Sequence, residues 1–325
     1  MLTSELNRTR RMGVEIEVTV PIVGGGGANE LRQTMARIMT QNGLPAVARA
    51  YSQTPVPEGC DVAVEHDGSI TGETEYRSID FVPVEVKTKI LNGVAEYDRV
   101  VKKLMDILKY LGARVNSSTG HHIHVEFAEI SHEPSLIRSF YNICHRVEPV
   151  VLGLVAPSRR GNTYCRSLPD RSRLLHDCKS LEEFRQALTA AGLERYWAIN
   201  MIHLFGPSPR IEFRAHQGTL DFEKAKHWRN LCLRLIDHSI QRSAKATKAQ
   251  LPREQESLKK ILVTLGFKPN TRVFAKVDPE LRATGRYFLK RWKALNPPSQ
   301  SSGATTPPRA SDGPADPAPN ESAQS

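Results

Sequence analysis

The sequence has no Cys-x-x-Cys pair, and its five cysteines are an odd number. Both facts argue against a disulfide framework and against a zinc knuckle, and they suit a reducing, cytoplasmic setting. No stretch approaches the roughly 20 apolar residues that a membrane helix needs, and the N-terminus lacks the apolar core of a signal peptide. The glycine run 24–27 lacks the Lys-Ser/Thr of a phosphate-binding P-loop, so it reads as a flexible connection. From Pro297 onward apolar periodicity is missing altogether, and Pro, Ser, Ala and Gly dominate. Residues 297–325 therefore read as a disordered tail.

Charge is plentiful but uneven. The net charge is +10, and residues 241–296 hold fourteen Lys/Arg against four Asp/Glu, which matches the whole excess. Such a segment suits an acidic or phosphate-bearing partner; the plainer reading is a set of helices with a solvated basic face.

What remains is a series of strand-like stretches with chemistry on one face. In Pro209–His216, alternation puts Arg210, Glu212, Arg214 and His216 on one side and Ile211, Phe213 and Ala215 on the other. Gly13–Val20 sets Glu15 and Glu17 opposite Val14, Ile16 and Val18. Two carboxylates so close repel unless a cation lies between them, as in oxygen-ligand Mg²⁺ or Mn²⁺ sites; the competing reading is a charged outer face. Phe81–Lys87 carries Glu85 opposite Val84 and Val86, and its Pro83 suggests an edge or bulge. A strand from about Gly120 places His122 and His124 together, with His121 turned away as a structural residue. The loop Pro157–Arg166 brings Arg159, Arg160 and Arg166, suited to phosphate oxygens or simply exposed. Asp67-Gly68 reads as a tight turn.

Between these lie predicted helices near 28–41, 92–111 with Gly112 as stop, 133–156, 180–191, 221–240, 254–266 and 279–293, with a loop over 43–60. Trp197–Leu204 reads as a strand entering the Arg210 strand through a hairpin. Residues 1–12 read as frayed.

Carboxylates on two strands, a His-x-His strand and an Arg-x-Glu-x-Arg strand fit two or more Mg²⁺ or Mn²⁺ ions bridged by a polyphosphate. That is the chemistry of nucleotide-dependent phosphoryl transfer. The residues also resemble a known family. Asn116-Ser-Ser-Thr-Gly-His-His-Ile-His resembles the turn and histidine strand of glutamine synthetase, and Arg210-Ile-Glu-Phe-Arg214 and Glu15-Ile-Glu17 resemble two of its other strands, in the same order. With Asp67-Gly-Ser, the Glu85 strand and His216-Gln-Gly-Thr219, residues 12–240 are most similar to the amidoligases, carboxylate–amine ligases related to glutamine synthetase and glutamate–cysteine ligase. Val86-Lys87-Thr88 departs from the Ser-Pro that often follows the strand glutamate in that family.

The resemblance implies an α+β fold, a glutamine synthetase-like half-barrel of mainly antiparallel strands with helices packed outside. It implies a catalytic domain over 13–240, with 241–296 as a basic helical extension packed on it. It also implies ATP and Mg²⁺ or Mn²⁺, and small-molecule or peptide carboxylate and amine substrates. Glu15, Glu17, Glu85, His122 and Glu212 become metal ligands, and Arg214 and Arg210 steady the γ-phosphate or an acyl phosphate. Asn116 and Gly120 lie where related ligases hold the acid substrate, and His124, His216 and Asp67 are candidates for the base that serves the amine. Two other classes compete. A metal-dependent hydrolase or phosphatase could use the same donors to activate water. A basic nucleic-acid-binding protein would explain 241–296 but not paired acids on strands, which repel phosphate unless metal is bound.

Overall fold

The computed structural model describes residues 2–22, 26–51, 55–75, 79–169, 173–243, 257–269 and 274–297. The 297–325 tail lies, apart from Pro297, outside these residues, as do Gly24 and Gly25 of the glycine run and the whole of 244–256. Ten strands and seven helices alternate along the described chain: β1 (Leu2–Ser4), β2 (Met12–Pro21), α1 (Ala28–Gln41), β3 (Ala46–Ala48), β4 (Val62–Glu65), β5 (Glu73–Glu75), β6 (Ile79–Thr88), α2 (Gly93–Tyr110), β7 (His121–Glu126), α3 (Ser135–Leu152), α4 (Leu181–Ala190), β8 (Ile199–Asn200), β9 (Arg210–Phe213), α5 (Phe222–Ser243), α6 (Ser257–Thr264), β10 (Phe274–Val277) and α7 (Pro279–Leu295). None of the described helices is long and apolar enough to cross a membrane.

The main sheet runs β3-β4-β6-β2-β7-β9-β8, with β5 pairing β6 beside that path. All its pairings are antiparallel except β3 with β4. The mixed, mainly antiparallel architecture expected from the sequence is therefore present. One face is apolar: Val14, Ile16 and Val18 of β2, Val84 and Val86 of β6, Ile123 and Val125 of β7, and Ile211 and Phe213 of β9 are all buried. They share one core with the inner sides of α2, α3 and α5. In α2, Val94, Tyr97, Val101, Leu104 and Leu108 recur at helical spacing and are buried, which is what holds the helix to the sheet. It ends where Gly112 takes a φ of 73°, a conformation that a side chain disfavours. With the apolar side committed to helices, the polar residues of every alternation face the other way, into a cleft.

Several expectations are corrected. The N-terminus is docked rather than frayed: β1 pairs in parallel with β10, Leu6 is buried, and the buried Arg10 guanidinium binds Glu129 at 2.8 Å and Asp237 at 3.0 Å. These partners lie more than a hundred residues away, so no local signal announces them. The 43–60 loop contains the short β3, held by its pairing to β4. The strand expected at 197–204 shrinks to β8 and gives way to a 3₁₀ turn at Ile202–Phe205, although the antiparallel pairing to β9 stands. Pro83 sits in a strand flanked on both sides, yet at a position where β4 has ended and β5 has not begun, so that flank needs no N–H from it. The 241–296 segment is not wholly helical, since β10 lies within it. It packs on the rest: Arg291 Nε donates to Leu154 O at 2.6 Å, and the rings of Tyr287 and His227 stack at 4.2 Å.

Candidate active site

Residues paired across a sheet point to the same side, so register alone builds the cleft floor. In the first row, Glu65 of β4 faces Glu85 of β6, and Glu85 faces Glu17 of β2. In the second, Lys87 faces Glu15, and Glu15 faces His122 of β7. In the third, Gly13 faces His124, His124 faces Glu212 of β9, and Glu212 faces Asn200 of β8. Rows are two residues apart, roughly 7 Å along a strand. The side chains close this gap and form two donor sets that share His122: Glu15, His122 and Glu212, and Glu17, Glu85 and His122. All five residues that the resemblance makes metal ligands are thus brought together.

His122 is the centre. Its Nδ1 lies 3.2 Å from Glu15 Oε2 and 3.6 Å from Glu212 Oε1, and its Nε2 lies 3.4 Å from Glu17 Oε1. That buried Nε2 has no hydrogen-bond partner. An orphaned imidazole nitrogen among carboxylates is what a bound cation completes, so the donor set fits an Mg²⁺ or Mn²⁺ ion. Gly120 makes the packing possible. Its N–H donates to Glu17 Oε2, and a Cβ there would stand 2.6 Å from His122 Nε2.

The electrostatics are divided. Burial opposes ionisation of Glu15, but the charge of His124 and hydrogen bonds from His122 and His124 outweigh it and hold the carboxyl well below its usual range. Glu212 is likewise lowered, against its burial, by His124 and Arg214. Glu85 goes the other way: burial and the charge of Glu15 push it well above, and Lys87 only partly offsets them. Burial lowers the His124 imidazole, but Glu15 and Glu212 outweigh this and raise it.

Four further residues expected at the site line the cleft: Arg210, Arg214, His124 and Asp67. Arg214 is ion-paired with Glu212. Asp67 is also a turn former, because its Oδ1 accepts the Ser69 N–H at 2.7 Å. The cleft encloses about 850 Å³.

Six others are placed differently. Arg159, Arg160 and Arg166 do not line the cleft. Arg159 is buried and donates to the Arg214 carbonyl at 2.7 Å, Arg160 donates to the Gly153 and Val155 carbonyls beyond α3, and Arg166 pairs with Glu194 at 2.7 Å. Carbonyls left open at a helix end are strong acceptors, and Arg160 satisfies such groups just past α3, while Arg159 is taken by a carbonyl at the end of β9. His216 is not on the Arg210 face. β9 ends at Phe213 and the chain bends, so His216 lies behind the sheet with its ring 5.0 Å from Trp228. Burial and His121 push it well below its usual pKa, so it is neutral. Asn116 is occupied with Thr71 O at 3.0 Å and with the Ser118 N–H, and Gly120 acts through its backbone.

Sequence reasoning missed the cationic wall. Lys87 lies 2.9 Å from Glu85 and 3.1 Å from the fully buried Glu65, and Arg49 Nε donates to Glu65 at 2.6 Å. The signal was available for Lys87, two residues from Glu85 on the same face. Asn200, which donates to Glu212 Oε2 at 2.7 Å, and His203, 6.1 Å from the His124 ring, had none, since their elements are too short to read.

The family model described as "putative amidoligase enzyme" matches residues 8–236, more than two thirds of the chain, and the chain belongs to that family. No curated protein matches its sequence. Among solved structures it is similar to the complex between prokaryotic ubiquitin-like protein Pup and its ligase PafA, at 12% identity over 88% of this chain and 63% of that one, with a TM-score of 0.38. The chain thus spans less than two thirds of that structure's length, and a likeness so loose supports nothing further.

Proposed function

We propose that this protein is an ATP- and Mg²⁺-dependent carboxylate–amine ligase that forms an amide bond through an acyl phosphate. The observation that carries this is the pair of donor sets sharing His122, with Arg214 set against one of them. Glu15, Glu17, Glu85, His122 and Glu212 would hold the cations, whose chemistry is to neutralise charge on phosphoryl oxygens. Four carboxylates and one imidazole suit Mg²⁺ or Mn²⁺ better than zinc. Arg214, oriented by Glu212, offers its other terminal nitrogen to a phosphoryl oxygen. In the first step a carboxylate oxygen bonds to the γ-phosphorus and ADP leaves. In the second an amine attacks the acyl carbon, phosphate leaves, and the nitrogen loses a proton. Asp67 and His124, both on the cleft, are the bases within reach of that proton, whereas His216 opens toward the helices.

We read the sheet as the half-barrel of glutamine synthetase-type ligases, residues 13–240 as the catalytic domain and 241–296 as its basic extension, whose exposed α7 cations suit an acidic partner. The test is incubation with ATP, Mg²⁺ and pools of amino acids and peptides, with mass spectrometry for condensed products and a parallel ADP assay. ADP release should require Mg²⁺ and a carboxylate, and amide should appear only with an amine. Full turnover without amine, or product from a single substrate without ATP, overturns the proposal in favour of a hydrolase.

A further inference from the structure

One protein cation lies among the metal donors themselves. Lys87 follows Glu85 by two residues on β6, so both point into the cleft, and across the sheet Lys87 faces Glu15 of β2. Its ammonium lies 2.9 Å from Glu85 Oε2 and 3.1 Å from Glu65 Oε2. It also stands over the ring of Tyr51, 4.6 Å from the centroid. Arg49 Nε takes the other oxygen of Glu65 at 2.6 Å. Arg49, Glu65, Lys87 and Glu85 thus form a chain of alternating charge that ends on a metal donor. The Lys87 side chain is 14% exposed and that of Glu65 fully buried, so solvent screens this chain little.

That placement limits what Glu85 can offer a dication. The donor set Glu17, Glu85 and His122 brings two carboxylates and one imidazole. In an oxygen-rich site, affinity for a hard cation rises with the number of ligand charges. Lys87 already matches the charge of Glu85, and among the described residues no Lys or Arg pairs with Glu17. The set therefore has one uncommitted carboxylate for a double charge. An ion on Glu85 would also have the ammonium as a like-charged neighbour, which a polyphosphate would offset. Glu65 does not need Lys87 to stay paired, because Arg49 holds it. Lys87 lies, moreover, in the Val86-Lys87-Thr88 stretch where this chain departs from the family pattern.

We propose that Lys87 makes the Glu17–Glu85–His122 set depend on nucleotide: the ammonium holds Glu85 in the free protein, and a divalent ion joins that set only in company with phosphate. Lys87 is a positioning residue, acting through Glu85. The link to nucleotide rests on the ligase reading, whereas the effect of Lys87 on metal affinity does not.

The test is titration of the full chain with Mn²⁺, following free Mn²⁺ by electron paramagnetic resonance, with and without a non-hydrolysable ATP analogue whose own binding is recorded by calorimetry. Wild type should bind Mn²⁺ at least about tenfold more tightly with the analogue than without it. Without nucleotide, Lys87→Met should bind Mn²⁺ at least about tenfold more tightly than wild type, the scale on which groups next to metal ligands act, and the analogue should add less. Lys87→Arg keeps the charge and should behave as wild type. Adding Glu85→Gln to Lys87→Met should cancel the gain, which a general loosening of the site would not do. The nucleotide-free titrations keep the two proposals apart: failure of the analogue to bind counts against the ligase, and the comparison of Lys87→Met with wild type still decides the role of Lys87. Should Lys87→Met fail to fold, the wild-type arm stands alone. Wild-type affinity for Mn²⁺ that bound analogue does not raise, Lys87→Met binding no more tightly than wild type, or a gain that survives Glu85→Gln overturns the proposal.

Discussion

Glu148 lies on α3, behind the sheet, and is nearly inaccessible at 4% exposure. Both its carboxyl oxygens accept from the Leu168 N–H, at 3.1 and 3.0 Å. Burial raises its pKa from 4.5 to about 7, and the bonds from Leu168 and Ser167 offset only part of that rise. Between those two values the folded chain binds a proton that the unfolded chain has released, so stability falls as pH rises through this window. At about 1.4 kcal/mol per tenfold in proton affinity, the full loss is about 3 kcal/mol, complete above pH 7 and mostly absent by pH 5. Glu148→Gln keeps an acceptor for Leu168 and has no charge to bury. Urea unfolding should therefore find the variant more stable than wild type by about 3 kcal/mol at pH 8, and by about 1 kcal/mol or less at pH 5. For a chain of this size that is a rise in Tm of about 5 °C at pH 8. A difference between the two proteins that does not change with pH would refute the argument, because it would show that the carboxyl keeps its ordinary pKa in the fold.

Gly120→Ala would set a methyl 2.6 Å from His122 Nε2 and 3.1 Å from Glu17 Oε2. Displacing two donors should weaken Mn²⁺ binding, measured by calorimetry with an ATP analogue, by roughly 10- to 100-fold, and unchanged affinity would remove His122 and Glu17 from the site. Glu212→Gln keeps size but loses the charge that faces Arg214, so ADP formation should drop by roughly a hundredfold or more with the circular dichroism spectrum retained; near wild-type turnover would sink the assignment of Glu212. Leu6→Ala, in the segment beside β1, should cost about 2–5 kcal/mol in chemical unfolding, and a cost near zero would show that the N-terminus contributes little to the fold.

The sequence by itself determined which side chains could meet. On β2, β6, β7 and β9 a period of two separates Val, Ile and Phe from Glu, His and Arg, and burial of the apolar set then forces the polar set onto one surface. That is why Glu15, Glu17, Glu85, His122 and Glu212 were all legible, and why α2 was legible from helical spacing closed by Gly112. Tertiary structure alone decided which of the remaining charged groups reach that surface. Register put Lys87, Glu65 and Asn200 into rows with the acids, because pairing is set by the whole sheet rather than by local pattern. Three arginines in one loop look like a phosphate grip on paper, yet Arg159 and Arg160 were drawn to backbone carbonyls and Arg166 to Glu194. A strand's alternation holds only while the strand lasts, so the bend after Phe213 carried His216 to the far side of the sheet. β1, whose partner strand begins some 270 residues later, had no sequence signal at all, since parallel pairing over that separation is written only in the folded chain.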